Sequence, residues 1–436
     1  MRILWLCNVV PPMIAEKLNI ETTVKEGWID ASLRRLVSEK EQAFEMGICV
    51  PGNIDTAYEK KEVSLLASKI NVYRFLENTR SPWVYDKSLE TAFAGIIKDF
   101  NPDIIHIFGT EYPHTLACVK AMNNPSRILI GIQGVMVDYA AGYCMGIPQG
   151  IIDKSTFRDY IKKDNIAQQK KKYELRADME TGALSITGNV TGRTEFDKNA
   201  ALRANPEVNY YPMYETLRQE FYEGNWNPDN LCKHSIFVSQ CDYPIKGFHV
   251  LLEAMPKILQ KYPDTRVRIA GNGITGYDSF KKKLKIGTYG KYCRELMVKY
   301  NLADKIQTLG MLDAKAMREE YLAASVYVCP SILENSPNSM GEAMLLGTPV
   351  VASGSGGVPS MIEDGKEALL FGQADSDSLA DSVIRLFDDR DLAKNLSEAA
   401  KKRGQQNHNP DKNYNRLLEI YNSVYGETIN ENNDDQ

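Results

Sequence analysis

The chain has 436 residues, 43% of them hydrophobic and 25% charged, which fits two globular domains with full cores. A net charge of -5 and a pI near 5.8 argue against a dedicated nucleic-acid binder. No apolar run approaches the roughly 18 residues of a membrane-crossing helix. The opening Met1-Arg2-Ile3-Leu4-Trp5-Leu6-Cys7-Asn8 is too short for a signal-peptide core. It meets Pro11-Pro12 at once, so it reads as a first strand.

Short apolar runs then alternate with helical patterns along the whole chain, the order expected of parallel sheets. In the first half the patterns predict strands at 3–7, 48–50, 72–75, 104–108, 128–132 and 184–187. Helices are predicted at 28–45, 89–99, 113–122 and 154–180. In the second half strands are predicted at 236–239, 267–270, 306–309, 326–329, 350–352 and 368–371, each followed by a helical segment. The polar stretch Gly224-Asn225-Trp226-Asn227-Pro228-Asp229-Asn230 marks the join between two Rossmann-like domains. The tail 427–436 has a disordered composition. The eight cysteines form no Cys-x-x-Cys pair, and Cys7, Cys49 and Cys329 sit in apolar runs, the pattern of reduced core thiols in a cytoplasmic protein.

The chemical centre lies after the predicted strand 326–329. There Glu334-Asn335-Ser336-Pro337-Asn338-Ser339-Met340-Gly341-Glu342 leads into Ala343-Met344-Leu345-Leu346-Gly347-Thr348-Pro349-Val350-Val351. Ser336 reads as a helix cap, with Pro337 at the first position and Gly347 as the stop. A helix that starts at the carboxyl end of a strand offers backbone N–H groups and a positive dipole end, which suits a phosphate. Glu342, about one and a half turns in, is placed to reach hydroxyls of a sugar bound over the helix start. Glu334 faces the same crevice.

This run resembles the E-x7-E signature of retaining glycosyltransferases of family 4, and the flanking Gly356-Gly357-Val358-Pro359 strengthens the resemblance. It implies the GT-B fold: α/β, with two facing Rossmann-like domains of parallel strands and a C-terminal cross-over helix. The acceptor-side domain would span 1–228 with the cross-over helix 411–426, and the donor domain 229–410. Phe237-Val238-Ser239-Gln240-Cys241-Asp242-Tyr243-Pro244-Ile245-Lys246-Gly247 resembles the family's diphosphate-binding loop. Lys246 matches its lysine, while neutral Gln240 stands where the family has arginine. Gly273 and Gly310 match glycines that approach the nucleotide, and each also reads as an ordinary turn glycine. Glu334, Lys246 and Arg193 form the candidate catalytic set, Arg193 as a replacement for the cation missing at Gln240. Donor binding falls to Gln240, Lys246, Gly27, Gly273, Gly310, Glu334, Asn338, Ser339, Met340 and Glu342.

Acceptor-side signals are sparser. His106 lies in Asp103-Ile104-Ile105-His106, similar to a family strand, and reads either as acceptor-side or as a core histidine. Gln133 replaces a family histidine. Arg193, in Thr187-Gly188-Asn189-Val190-Thr191-Gly192-Arg193-Thr194-Glu195-Phe196-Asp197, resembles a bacterial subgroup segment, as does Glu215-Thr216-Leu217-Arg218. It either supplies the cation missing at Gln240 or pairs with Glu195, Asp197 or Glu215. The lysines at 162, 163 and 170–172 read as a solvated face or as peripheral contact with anionic lipid.

The implied function is transfer of a hexose from a nucleotide-sugar to a sugar, glycan or lipid-linked sugar acceptor, with retention, in surface-polysaccharide synthesis. No metal, other cofactor or nucleic acid is implied. A GT-B nucleotide-sugar epimerase and a catalytically silent nucleotide-sugar binder are the alternatives.

Overall fold

A computed structural model describes residues 1–21, 27–38, 44–66, 68–276 and 285–434. The chain divides into two compact units: Met1–Val137 with Tyr173–Thr216 and His408–Gln436, and Asp138–Lys172 with Leu217–Asn407.

The first unit is built on an eight-stranded sheet ordered β3-β4-β2-β1-β5-β6-β7-β8. The strands are β1 Arg2–Cys7, β2 Glu45–Gly52, β3 Tyr58–Leu65, β4 Ser68–Leu76, β5 Ile104–Phe108, β6 Ile128–Gly131, β7 Asn189–Gly192 and β8 Asn209–Pro212. All neighbours are parallel except the β3/β4 hairpin. Strands β1 and β5 are apolar on both faces, as central parallel strands between helix layers must be. The last helix, Pro410–Asp434, packs into this unit. Its buried Tyr421 accepts a hydrogen bond from Trp5 Nε1 at 2.8 Å.

The second unit carries a six-stranded parallel sheet ordered β11-β10-β9-β12-β13-β14. Its strands are β9 Cys232–Val238, β10 Arg266–Ala270, β11 Ile306–Gly310, β12 Ala324–Cys329, β13 Val350–Ser353 and β14 Leu369–Phe371.

Several sequence expectations are corrected. The segment 184–187 is not a strand: the helix Ile166–Leu184 ends there and β7 follows at 189. Buried Ala177, Ala183 and Leu184 recur with helical spacing, which decides the local structure. The helix expected over 154–180 is broken into Phe157–Lys162 and Ile166–Leu184 by Lys163, whose φ is 49°. Strand β3, with the polar sequence Tyr-Glu-Lys-Lys-Glu-Val-Ser-Leu, escapes a hydrophobicity reading because it is an edge strand with mostly exposed side chains. The segment 138–172 packs with the second unit rather than the first. Asp159 Oδ2 holds it there, accepting from the backbone N and the hydroxyl of Thr288, both at 2.6 Å. The final helix continues through Gly426 to Asp434, where the tail composition suggested disorder. A helix already nucleated propagates at one hydrogen bond per residue fixed, and no proline interrupts it.

Candidate active site

In the second unit, β12 ends at Cys329 and the chain turns through 330–337 into the helix Asn338–Leu346. Two glycines build this turn. Gly247 has φ +66°, and a Cβ there would meet the Pro330 carbonyl oxygen at 1.8 Å. Gly356 has φ +60°, and its Cβ would lie 2.2 Å from the Glu334 carbonyl oxygen, which accepts from Gly357 N at 2.9 Å. Only residues without a side chain let the three loops close around Glu334.

Glu334 is buried, and its Oε1 accepts from Lys246 Nζ at 2.6 Å and from Ser331 Oγ at 2.7 Å. Lys246 follows β9 at the end of the short turn Pro244–Lys246. Burial opposes its charge, but the Glu334 carboxylate outweighs burial and lifts the ammonium well above the usual lysine range. Lys246 therefore keeps its positive charge at a strand end, matched by the Glu334 carboxylate.

The helix Asn338–Leu346 has no side-chain cap. Ser336, expected as the cap, is displaced by Pro337, and Ser336 Oγ is buried without a partner. The proline ring fixes the N-cap backbone, so the serine hydroxyl cannot swing over the first turn. Ser339 Oγ accepts from Tyr327 OH at 2.8 Å, and Met340 is fully buried beneath the helix. The uncapped start leaves an N-terminal dipole for an anion.

Glu342 does not point to open surface. It is 5% exposed, and its Oε1 accepts from Arg218 Nη2 at 2.6 Å and Nε at 3.1 Å. Tyr321 OH approaches the other oxygen at 3.4 Å. Burial raises the Glu342 pKa, and Arg218 pulls against that rise. Arg218 is the functional candidate that motif reading missed. The signal was present in Glu215-Thr216-Leu217-Arg218, but nothing in the spacing tied it to Glu342, 124 residues away.

Gln240, just past β9, is half-buried. Gly310 closes β11 with φ +79° and faces open space, while Gly271 N donates to its carbonyl at 2.8 Å. Gly273 lines a cavity of about 100 Å³ with Cys241, Phe248 and Thr308. That volume is well below the ~300 Å³ of small-molecule sites.

The remaining candidates lie in the first unit. Gly27 opens the helix Gly27–Ser38, and Glu26 before it falls outside the described residues. His106 is a core histidine. It is fully buried on β5, its Nδ1 is 2.8 Å from Tyr421 OH, and burial lowers its pKa to about 3. Arg193 is 7% exposed at the end of β7. Its Nη1 lies 2.8 Å from Glu215 Oε2 and its Nη2 donates to Gln133 Oε1 at 3.2 Å, so the ion-pair alternative describes its surroundings. Gln133 Nε2 donates to the other Glu215 oxygen at 2.7 Å. Among the described residues, no group of three or more His, Cys, Asp or Glu side chains is placed to hold a metal ion, and no helix is long and apolar enough to cross a membrane.

Residues 226–403 match the family model described as glycosyl transferases group 1, and Gln240, Lys246, Gly273, Gly310, Glu334 and Glu342 fall inside that stretch. An uncharacterized glycosyltransferase of Methanocaldococcus jannaschii is 28% identical over 189 residues, 43% of this chain and 44% of that protein. The chain spans less than half the length of the curated relatives it matches. The solved sucrose-phosphate synthase of Thermosynechococcus elongatus aligns with a TM-score of 0.69 at 16% identity, over 98% of this chain and 100% of that one. Anabaena HepE in complex with UDP-glucose aligns with a TM-score of 0.62 at 14% identity, over 97% and 100%. The fold is GT-B.

Proposed function

We propose that the chain is a group 1 glycosyltransferase of the retaining, family-4 type, working without a metal in the cytoplasm. It moves a hexose from a nucleotide-sugar to a sugar, glycan or lipid-linked sugar acceptor in surface-polysaccharide synthesis. The observation that carries this reading is the Lys246–Glu334 pair, set where β9 and β12 give way to their loops, in the same turn as the uncapped helix start at Asn338. In the reaction an acceptor hydroxyl oxygen bonds to the anomeric carbon from the face the diphosphate leaves. The carbon–oxygen bond to the diphosphate breaks with its electron pair on the phosphate oxygen, which takes the hydroxyl proton. Charge grows on the diphosphate, and Lys246 with the helix N-terminus meets it. The nucleotide-sugar complex of the Anabaena neighbour supports such a donor.

A panel of nucleotide-sugars in a thermal-shift assay identifies the donor. A ligand at 100 times its dissociation constant stabilises by about 2.7 kcal/mol. NMR of the first-formed product then gives the anomeric outcome, and an inverted product refutes retention. Turnover that chelator abolishes refutes metal independence. The neutral Gln240 favours one second reading, a silent nucleotide-sugar binder. Donor hydrolysis by the purified protein rejects it.

A further inference from the structure

The two-turn helix Phe157–Lys162 carries an apolar face that the catalytic reading does not use. Phe157, Tyr160 and Ile161 are 78%, 79% and 64% exposed. They stand at i, i+3 and i+4, so they share one side of the helix. No other three of the exposed large apolar side chains among the described residues have this spacing on one helix. The orientation is enforced from the opposite side. Thr156 and Asp159 form a capping box, and Asp159 is fully buried against Thr288. The helix cannot roll to hide its apolar face without breaking both.

The charges around this face are sorted by sign. Asp159 is buried and holds Arg158, and Asp164 is held by Arg158 and Lys172. Lys154, Lys162 and Lys163 are exposed, with no ion-pair partner among the described residues. Asp153 is the single exposed acid between 153 and 164, hydrogen-bonded to Gln149. The rim therefore carries an excess of positive charge.

We propose that this face docks the protein on an anionic lipid bilayer. Phe157 and Ile161 enter the acyl boundary, and Tyr160 keeps its hydroxyl at headgroup level. The lysine stems lie along the interface with their ammonium groups on lipid phosphates. The two aromatic rings and one isoleucine cover roughly 500 Å², less than the ~800 Å² per partner of a stable protein interface. A small aromatic cluster ringed by cations suits a membrane better than a second protein. The proposal does not depend on the catalytic reading.

The test is co-sedimentation of the full chain with phosphatidylcholine vesicles made with and without phosphatidylglycerol. The wild type is expected to bind only the phosphatidylglycerol vesicles. K162Q/K163Q lowers the partition coefficient about 25-fold, at roughly fivefold per lysine. F157S/Y160S/I161S lowers it by about tenfold or more for each side chain, to below detection. Because all five side chains are exposed, both variants should keep the wild-type circular dichroism and melting temperature. The proposal is overturned if the wild type fails to bind anionic vesicles, if it binds neutral ones equally well, or if the triple-serine variant still binds. It is also overturned if that variant merely converts an oligomer to a monomer in light scattering, which would make the face a contact between copies.

Discussion

Lys246 Nζ lies 2.6 Å from Glu334 Oε1, and both side chains are largely buried. The first glutamate of the E-x7-E run thus keeps a charged lysine at the strand ends. Removing either partner leaves the other charge buried and unmatched.

Lys246→Ala is expected to lower turnover on the order of a hundredfold, the usual effect of losing one group that meets transition-state charge. Steady-state kinetics with saturating donor checks this. If the Michaelis constant rises while turnover holds, the lysine contributes only ground-state binding.

Glu342, which is buried, pairs with the half-buried Arg218 at 2.6 Å. Glu342→Gln and Arg218→Ala are each expected to weaken donor binding and lower the melting temperature, and the double variant is expected to be little worse than the poorer single one. Coupling of about 0.5–3 kcal/mol is typical of residues in contact. Calorimetric donor titrations of all four proteins complete the cycle. Additive losses would mean that Glu342 touches the donor independently of Arg218.

The strand positions of the second unit were legible because each buried parallel strand is a short apolar run, five of the six closed by glycine or proline. The Lys246–Glu334 pairing was not. It spans 88 residues and depends on three loops closing, which periodicity does not report. Segment 138–172 was misplaced for a similar reason. Its attachment runs through side chains far along the chain: Asp159 and the Lys154 carbonyl meet Thr288, 129 and 134 residues away, and the Met145 carbonyl meets His249. Strand β3 was invisible because an edge strand can be polar on nearly every position. Arg193 was legible only as two alternatives, since its partner Glu215 is local in space but gives no periodic signal.

His106 gives an acid-sensitive term. Its folded pKa is about 3, against an ordinary value near 6.5. Between those values the unfolded chain binds the proton and the folded chain does not, so this stability is full above pH ~6.5 and is lost as pH falls toward 3. His106→Phe is expected to flatten the decline in melting temperature between pH ~6.5 and ~4 relative to wild type. Parallel curves for the two proteins would show that His106 titrates alike in both states.

Glu180 acts in the opposite direction. Burial is the largest cause lifting its carboxyl to about 8, while Thr110 and the backbone of Met136 and Val137 donate to it. From pH ~4.5 to ~8 the folded state holds a proton that the unfolded state has lost, so stability falls as pH rises, by up to roughly 1.4 kcal/mol per unit. Glu180→Gln is expected to remove that slope in urea unfolding measured from pH 5 to 8. An unchanged slope would mean that the carboxyl is ionised in the fold.

Arg193 sits between Glu215 and Gln133 with little exposure, so its charge is already matched within its own unit. Arg193→Ala leaves the buried Glu215 carboxylate without its guanidinium counter-charge, and breaking a buried ion pair in this way typically destabilises by about 3–5 kcal/mol. A clear fall in melting temperature is expected. Arg193→Ala/Glu215→Ala should recover part of it, because the stranded carboxylate is gone. Adding Gln240→Arg to Arg193→Ala should not restore catalytic efficiency. Rescue of kcat/KM by that arginine, with the melting temperature unchanged throughout, would show instead that Arg193 supplies the positive charge missing at Gln240.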